Sequence, residues 1–283
     1  MPKAPSVPTP GPATPCGKLT ALTRRGFALS AISCVVALAS PSARAEAAPT
    51  ANQIVQRVLE SDPLGLNGAE IRAVAVVTDK RGATRKLSFM AASQLYDPPL
   101  AKSIVRFLAP PDLAGAGFLQ VQNRNRDDDR HLFLPALKRS RRISGNLRSS
   151  AFMGTDFSFA DLDRRDLRNS DAKLLGTEDV GSSACYVIDL VPRRGDAQYS
   201  HVELWVRKDN FLALITKMYD KSNVHAKTFE ARAIRRVSGK WFIAKSQMTN
   251  HKTGHTTQLE LQSIVVNSQL PDEEFSVRAL EKP

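Results

Sequence analysis

The chain has 283 residues, of which 42% are hydrophobic and 24% charged, with 40 Lys and Arg against 28 Asp and Glu for a net charge of +12. Such a length is enough for one substantial core without a second domain, and the positive balance favours anionic partners. Three cysteines exclude a dense disulfide framework.

Residues 1–45 have the layout of an export signal. Pro2 to Pro15 is too Pro-rich to fold. Thr23-Arg24-Arg25-Gly26-Phe27-Ala28-Leu29 is a twin-arginine-type motif, followed by the uncharged apolar run Ala28 to Ala39 and the cleavage-like Ala43-Arg44-Ala45. That run is too short to span a bilayer, so the segment reads as cleaved near Ala45. A Sec signal containing two arginines is the alternative, and both routes export the protein, with the periplasm as its expected compartment. Lipidation at Cys34 competes, but no Leu stands three residues before it. Lys3, Lys18, Arg24, Arg25 and Arg44 leave with the signal and no acidic residue does, which lowers the net charge from +12 to +7. In an exported protein that surface favours lipid headgroups over nucleic acid. Cys185 alone remains, in the apolar run Cys185-Tyr186-Val187-Ile188, so no intramolecular disulfide can form and the thiol reads as buried and inert.

Residues 50–60 read as a short helix. Thr50 can cap it, Ile54, Val55, Val58 and Leu59 share a face, and Asp62-Pro63 stops it. From there the pattern is that of strands. Ala69 to Asp79 and Thr84 to Met90 flank the turn Asp79-Lys80-Arg81-Gly82, Pro98-Pro99 breaks the chain before Ile104 to Leu108, and Pro110-Pro111 breaks it again. Phe118 to Gln122, His131 to Leu134 and Lys138 to Ile143 continue the series, with the acidic triplet Asp127-Asp128-Asp129 as a solvated turn. Arg139 to Leu162 then interrupts it with a loop rich in Phe and Met, and Ser158 with Asp161 suggests a capping box opening a helix. Apolar side chains so dense in a Gly- and Ser-containing loop must be held against the body of the protein, as a lid or a plug. Ala172 to Gly176, Ala184 to Val191, Tyr199 to Val206, Phe211 to Tyr219, His225 to Val237, Trp241 to Asn250 and Thr256 to Val266 resume the strands. Ser238-Gly239 and Lys252-Thr253-Gly254 are turns, and Pro271 to Phe275 is a final turn or short helix.

Roughly a dozen short strands with close turns predict a mainly β, antiparallel sheet, open or curled. Its apolar face needs a cover, and the helix near residue 50 and the loop at 147–162 are the covers in view. The space they leave suits a hydrophobic ligand.

No catalytic set emerges. His131, His201, His225, His251 and His255 fall in no metal or protease motif; His251 and His255 flank a turn as solvated side chains. The acidic triplet lacks the spacing and glycine of a calcium loop, and there is no nucleophile elbow or phosphate-binding loop. Neither a cofactor nor a metal is expected, and the chain reads as a non-enzyme. Two clusters stand out. Arg139, Arg141, Arg142 and Arg148, with Lys138, form either edge-strand protection or a contact for an anionic partner. Phe152, Met153, Phe157, Phe159 and Leu162 form either core or a ligand-binding lid.

The runs His131-Leu132-Phe133-Leu134-Pro135-Ala136-Leu137-Lys138-Arg139, Arg141-Arg142-Ile143, and Ser150-Ala151-Phe152-Met153-Gly154-Thr155-Asp156-Phe157-Ser158-Phe159 with Asp161-Leu162 resemble the outer-membrane lipoprotein-sorting protein family. Glu203-Leu204-Trp205-Val206, Lys245 to Asn250 and Leu270-Pro271-Asp272 with Phe275 extend the resemblance over residues 46–283. It implies one domain with a LolA/LolB-like fold, a curved, incomplete antiparallel β-barrel (a half-barrel) whose concave face is covered by a few helices. It also implies a carrier, expected as a monomer, that shields lipoprotein acyl chains or lipid and passes them from an inner-membrane transporter towards an outer-membrane acceptor. An adaptor of a resistance-nodulation-division-type transporter, without lipid cargo, is the alternative.

Overall fold

Helix α1, Ala51–Ser61, begins where Thr50 and Gln53 exchange a capping box: Thr50 N–H donates to Gln53 Oε1 at 2.8 Å and Gln53 N–H to Thr50 Oγ1 at 3.3 Å. Its buried face carries Ile54, Val55 and Val58. In the computed structural model, residues 48–61, 68–98, 100–162, 165–266 and 270–282 are described. The expected export signal, Cys34 and the Asp62-Pro63 helix stop lie outside them. Contacts divide the chain into Met1–Glu46 and Ala47–Pro283, and the described residues fall in the second unit.

Thirteen strands follow α1. They are β1 Ala69–Thr78, β2 Thr84–Asp97, β3 Leu100–Ala109, β4 Gly117–Val121, β5 Asp129–Leu134, β6 Arg139–Arg142, β7 Ser170–Val180, β8 Ser183–Pro192, β9 His201–Arg207, β10 Ala213–Tyr219, β11 His225–Val237, β12 Lys240–Asn250 and β13 His255–Val266. All join one antiparallel sheet in the order β6-β5-β4-β3-β2-β1-β13-β12-β11-β10-β9-β8-β7. Strands β2 and β3 are longer than their alternation predicts. The small run Ala91-Ala92-Ser93 carries no period-2 signal, yet all three residues pair with β3, and Ala91 and Ala92 pair with β1 as well.

Each strand pairs with its sequence neighbour except β6 and β7, which form the two free edges. The connection between them must therefore cross from one edge to the other.

The sheet is strongly curled and not closed into a barrel. On a flat sheet at about 4.8 Å per strand, β4 and β9 would stand roughly 40 Å apart, yet Phe118 and Gln120 of β4 line the same cavity as Val202 and Leu204 of β9. The concave face is covered by α1, which packs on Ile188, Leu190, Leu204 and Val206, and by the β6–β7 connection, which packs on Leu87, Phe107, Phe118 and Leu132. The connection ends in a short helix, α2 Arg165–Arg168. Ser158 and Asp161 do exchange the predicted capping hydrogen bonds, at 2.7 and 3.2 Å, but they close a turn and not a helix.

A third cover lies on the convex face, where the sequence predicts a final turn or short helix. A 3-10 turn at Asp272–Phe275 leads into α3, Val277–Leu280, capped by Ser276, whose Oγ accepts from Ala279 N–H at 3.1 Å. Phe275 and Leu280 bury against Ile104, Leu119 and Phe133. Gly117 makes room for Leu280: a Cβ there would lie 2.7 Å from Leu280 Cδ1. Arg106 closes the segment by donating to the carbonyls of Leu280 at 3.1 Å, Lys282 at 3.0 Å and Ala279.

Candidate functional site

The crossing connection is a hairpin-like flap pinned at both ends. Met153 and Gly154 both have positive φ, 51° and 77°, which folds the chain back so that Phe152 N–H reaches Phe157 O at 2.7 Å and Ala151 bridges Ser158. Beneath it, Phe152 packs its ring against Phe107, Phe118 and Phe159 with centroids 5.8, 5.4 and 5.4 Å away. Edge-to-face aromatic contacts of this kind add to the apolar burial.

Polar contacts fix the flap's far side. Thr257 of β13 is fully buried; its hydroxyl donates to Asp156 Oδ2 at 2.7 Å and accepts Asp156 N–H at 2.9 Å. Asp161 accepts from Ser158 N–H, from Lys227 Nζ at 2.9 Å and from Tyr199 Oη at 2.7 Å. Burial, and then the Asp161 charge, push the Tyr199 hydroxyl well above its ordinary pKa, so it stays a donor.

Between flap, α1 and sheet lies a cavity of about 280 Å³. Its wall on β10–β12 is largely apolar, with Met218, Phe229, Ile243 and Met248 beside Thr216; the flap contributes Phe157, Ala160, Asp161 and Leu162; α1 contributes Val58 and Leu59. Met and Phe together make a surface that adapts to chains of different shape. The floor on β2–β4 is different. Ser103 and Gln120 stand directly opposite each other across β3 and β4, with Ser93 opposite Ser103 on β2. This polar row runs beside the apolar row Ala91, Val105 and Phe118.

The five flap residues predicted from sequence divide into two groups. Phe157 and Leu162 line the cavity. Phe152, Phe159 and Met153 belong to the core under the flap, where Phe152 and Phe159 are buried. The arginines divide as well. Arg139, Arg141 and Arg142 are exposed on edge strand β6, where Arg142 pairs with Asp129 at 3.0 Å and neither Arg139 nor Arg141 has an ion-pair partner among the described residues. Arg148 corrects the expectation of a surface contact: it is buried, with Asp166 at 3.6 Å and Asp196 at 3.5 Å, so its anions belong to the same chain.

A further correction concerns an acidic residue. Asp128, expected in a solvated turn, is buried: Oδ2 takes Arg130 at 2.8 Å and Gln120 Nε2 at 3.2 Å, and Oδ1 takes Asn123 N–H at 3.1 Å. A buried arginine on β5 explains why the carboxylate turns inward. His251 is exposed at its turn, as the sequence predicts. It packs against His225 at 4.3 Å and shares the Thr228 hydroxyl with it, at 2.8 and 2.9 Å. No group of three His, Cys, Asp or Glu side chains able to hold a metal ion occurs among the described residues. Cys185 is buried, and burial raises its thiol pKa.

Ser103, Gln120, Met218, Met248, Tyr199 and Lys227 were not singled out from sequence. Their strands were visible, but the shared face depends on the pairing of strands far apart in the chain.

The fold has relatives of known structure. A DUF1329 family protein from Desulfovibrio piger is 27% identical, with a TM-score of 0.77 over 81% of this chain and 97% of that one. A putative outer membrane lipoprotein-sorting protein domain from Vibrio parahaemolyticus is 24% identical, with a TM-score of 0.76 over 82% and 98%. A LolA superfamily protein from Nitrosomonas europaea is 20% identical, with a TM-score of 0.65 over 81% and 98%. No curated protein matches the chain. A family model with the description "Uncharacterized protein" matches residues 100–282. The chain therefore belongs to that family, and its fold is that of the LolA-superfamily lipoprotein-sorting proteins.

Proposed function

We propose that the protein is a non-enzymatic periplasmic carrier that holds the acyl chain of a lipoprotein or lipid in the concave cavity and moves it towards the outer membrane. The observation that carries this reading is the cavity itself, largely apolar on β10–β12 and under the flap, and set between covers that are not part of the sheet. Each methylene that leaves water for such a wall contributes about 0.8 kcal/mol, enough for reversible binding without any reacting group. The Vibrio relative, a putative outer membrane lipoprotein-sorting protein domain, and the Nitrosomonas relative, a LolA superfamily protein, support it. No described helix is long and apolar enough to cross a membrane.

The exposed Arg139 and Arg141 on a free sheet edge supply a contact for anionic headgroups, or for an inner-membrane transporter and an outer-membrane acceptor. They also favour a second reading, a transporter adaptor without cargo. Lipid extraction from protein purified under mild conditions, followed by mass spectrometry, separates the two. The carrier reading expects stoichiometric acyl lipid or uptake of a fluorescent acyl probe; a lipid-free protein that takes up no probe leaves the adaptor.

A further inference from the structure

An apolar cavity that served hydrocarbon alone would gain nothing from a polar row on its floor. Gln120 is 4% exposed. Its amide is oriented by its neighbours: Asp128 Oδ2 is an acceptor already engaged by Arg130, so the Gln120 atom facing it must be Nε2, at 3.2 Å. That assigns the amide oxygen to the cavity side, where Oε1 has no partner among the described residues. Directly opposite on β3, the Ser103 hydroxyl also lines the cavity and has no partner among the described residues. Side chains paired across antiparallel strands lie about 5 Å apart. The row therefore presents one fixed acceptor and one available donor, side by side, on the floor of a largely apolar chamber.

We propose that Ser103 and Gln120 read the polar junction of the bound amphiphile, and that the preferred cargo carries a donor and an acceptor next to its alkyl chain, as an N-acyl amide does. The amide N–H donates to Gln120 Oε1 and the amide carbonyl accepts from Ser103 Oγ. An ester satisfies only the serine. It leaves Gln120 Oε1 buried against an ester oxygen, and a site built to receive an N–H discriminates strongly against an analogue that lacks it. Arg130 and Asp128 act as positioning residues, because they determine which way the Gln120 amide faces.

This inference rests on the carrier reading, and the experiment distinguishes the two. N-Dodecylacetamide and dodecyl acetate differ only by N–H against O, and each is titrated against a bound fluorescent acyl probe. Wild-type protein is expected to prefer the amide by about tenfold or more. Gln120→Met, which keeps the volume, is expected to abolish that preference. Ser103→Ala is expected to weaken both ligands several-fold and leave their ratio unchanged, so the test stands even if the Gln120 variant folds poorly. Equal affinity for amide and ester in the wild-type protein, or a preference that survives Gln120→Met, overturns the inference and spares the carrier. Failure of both ligands and the probe to bind overturns the carrier reading as well.

Discussion

Asp161 shows how much one side chain can hold. Its carboxylate takes a backbone N–H, a phenol and an ammonium, with the Asp161 side chain 4% and the Lys227 side chain 12% exposed. Asp161→Ala strands all three donors in a buried place, so we expect a loss of about 3–5 kcal/mol, read as a lower denaturant midpoint at unchanged m-value. His225 carries a pH signature. Its pKa is held below 6.5, first by burial and then by His251. Between the folded value and 6.5 the unfolded chain binds more protons, so stability is complete above 6.5 and is lost as pH falls through that window. His251→Ala removes the second cause and leaves the first. An NMR titration should show His225 moving up towards 6.5. Gly117→Ala is expected to cost about 1–3 kcal/mol by overpacking Leu280, and the penalty should shrink in a Leu280→Ala background because the two share one space.

At the scale of elements, the flap separates anchoring from lining. Phe152→Ala removes a ring packed against three others and should cost about 3–5 kcal/mol, measured by chemical denaturation. Phe157 sits at the edge of the core under the flap, has one ring contact among the described residues, Phe229 at 6.3 Å between centroids, and faces the cavity. Phe157→Ala should therefore weaken acyl-probe binding several-fold with a much smaller loss of stability; the opposite pattern would exchange the roles of the two residues. Strand β6 offers a separate test. Replacing Arg139 and Arg141 by Ser should reduce partition onto anionic vesicles by about 1 kcal/mol per arginine and leave neutral vesicles unaffected, as sedimentation would show.

For the whole molecule, strand order explains why the flap exists. A thirteen-stranded sheet whose free edges are β6 and β7 must be spanned by the chain between them, and that chain carries the apolar run that closes the cavity. The convex face needs its own cover. Truncation after Gln269 should expose Ile104, Leu119 and Phe133 and yield aggregated protein in size-exclusion chromatography. The sequence by itself determined the mainly β class, the antiparallel pairing, α1 and the importance of residues 139–162, because period-2 alternation, capping residues and turn glycines are local signals. It left Phe152 and Phe157 indistinguishable, placed Arg148 and Asp128 in water, and did not mark Ser103 or Gln120. Only the tertiary structure separated these, since what a side chain faces depends on the register of distant strands and on the curl that brings β4 and β9 to one cavity.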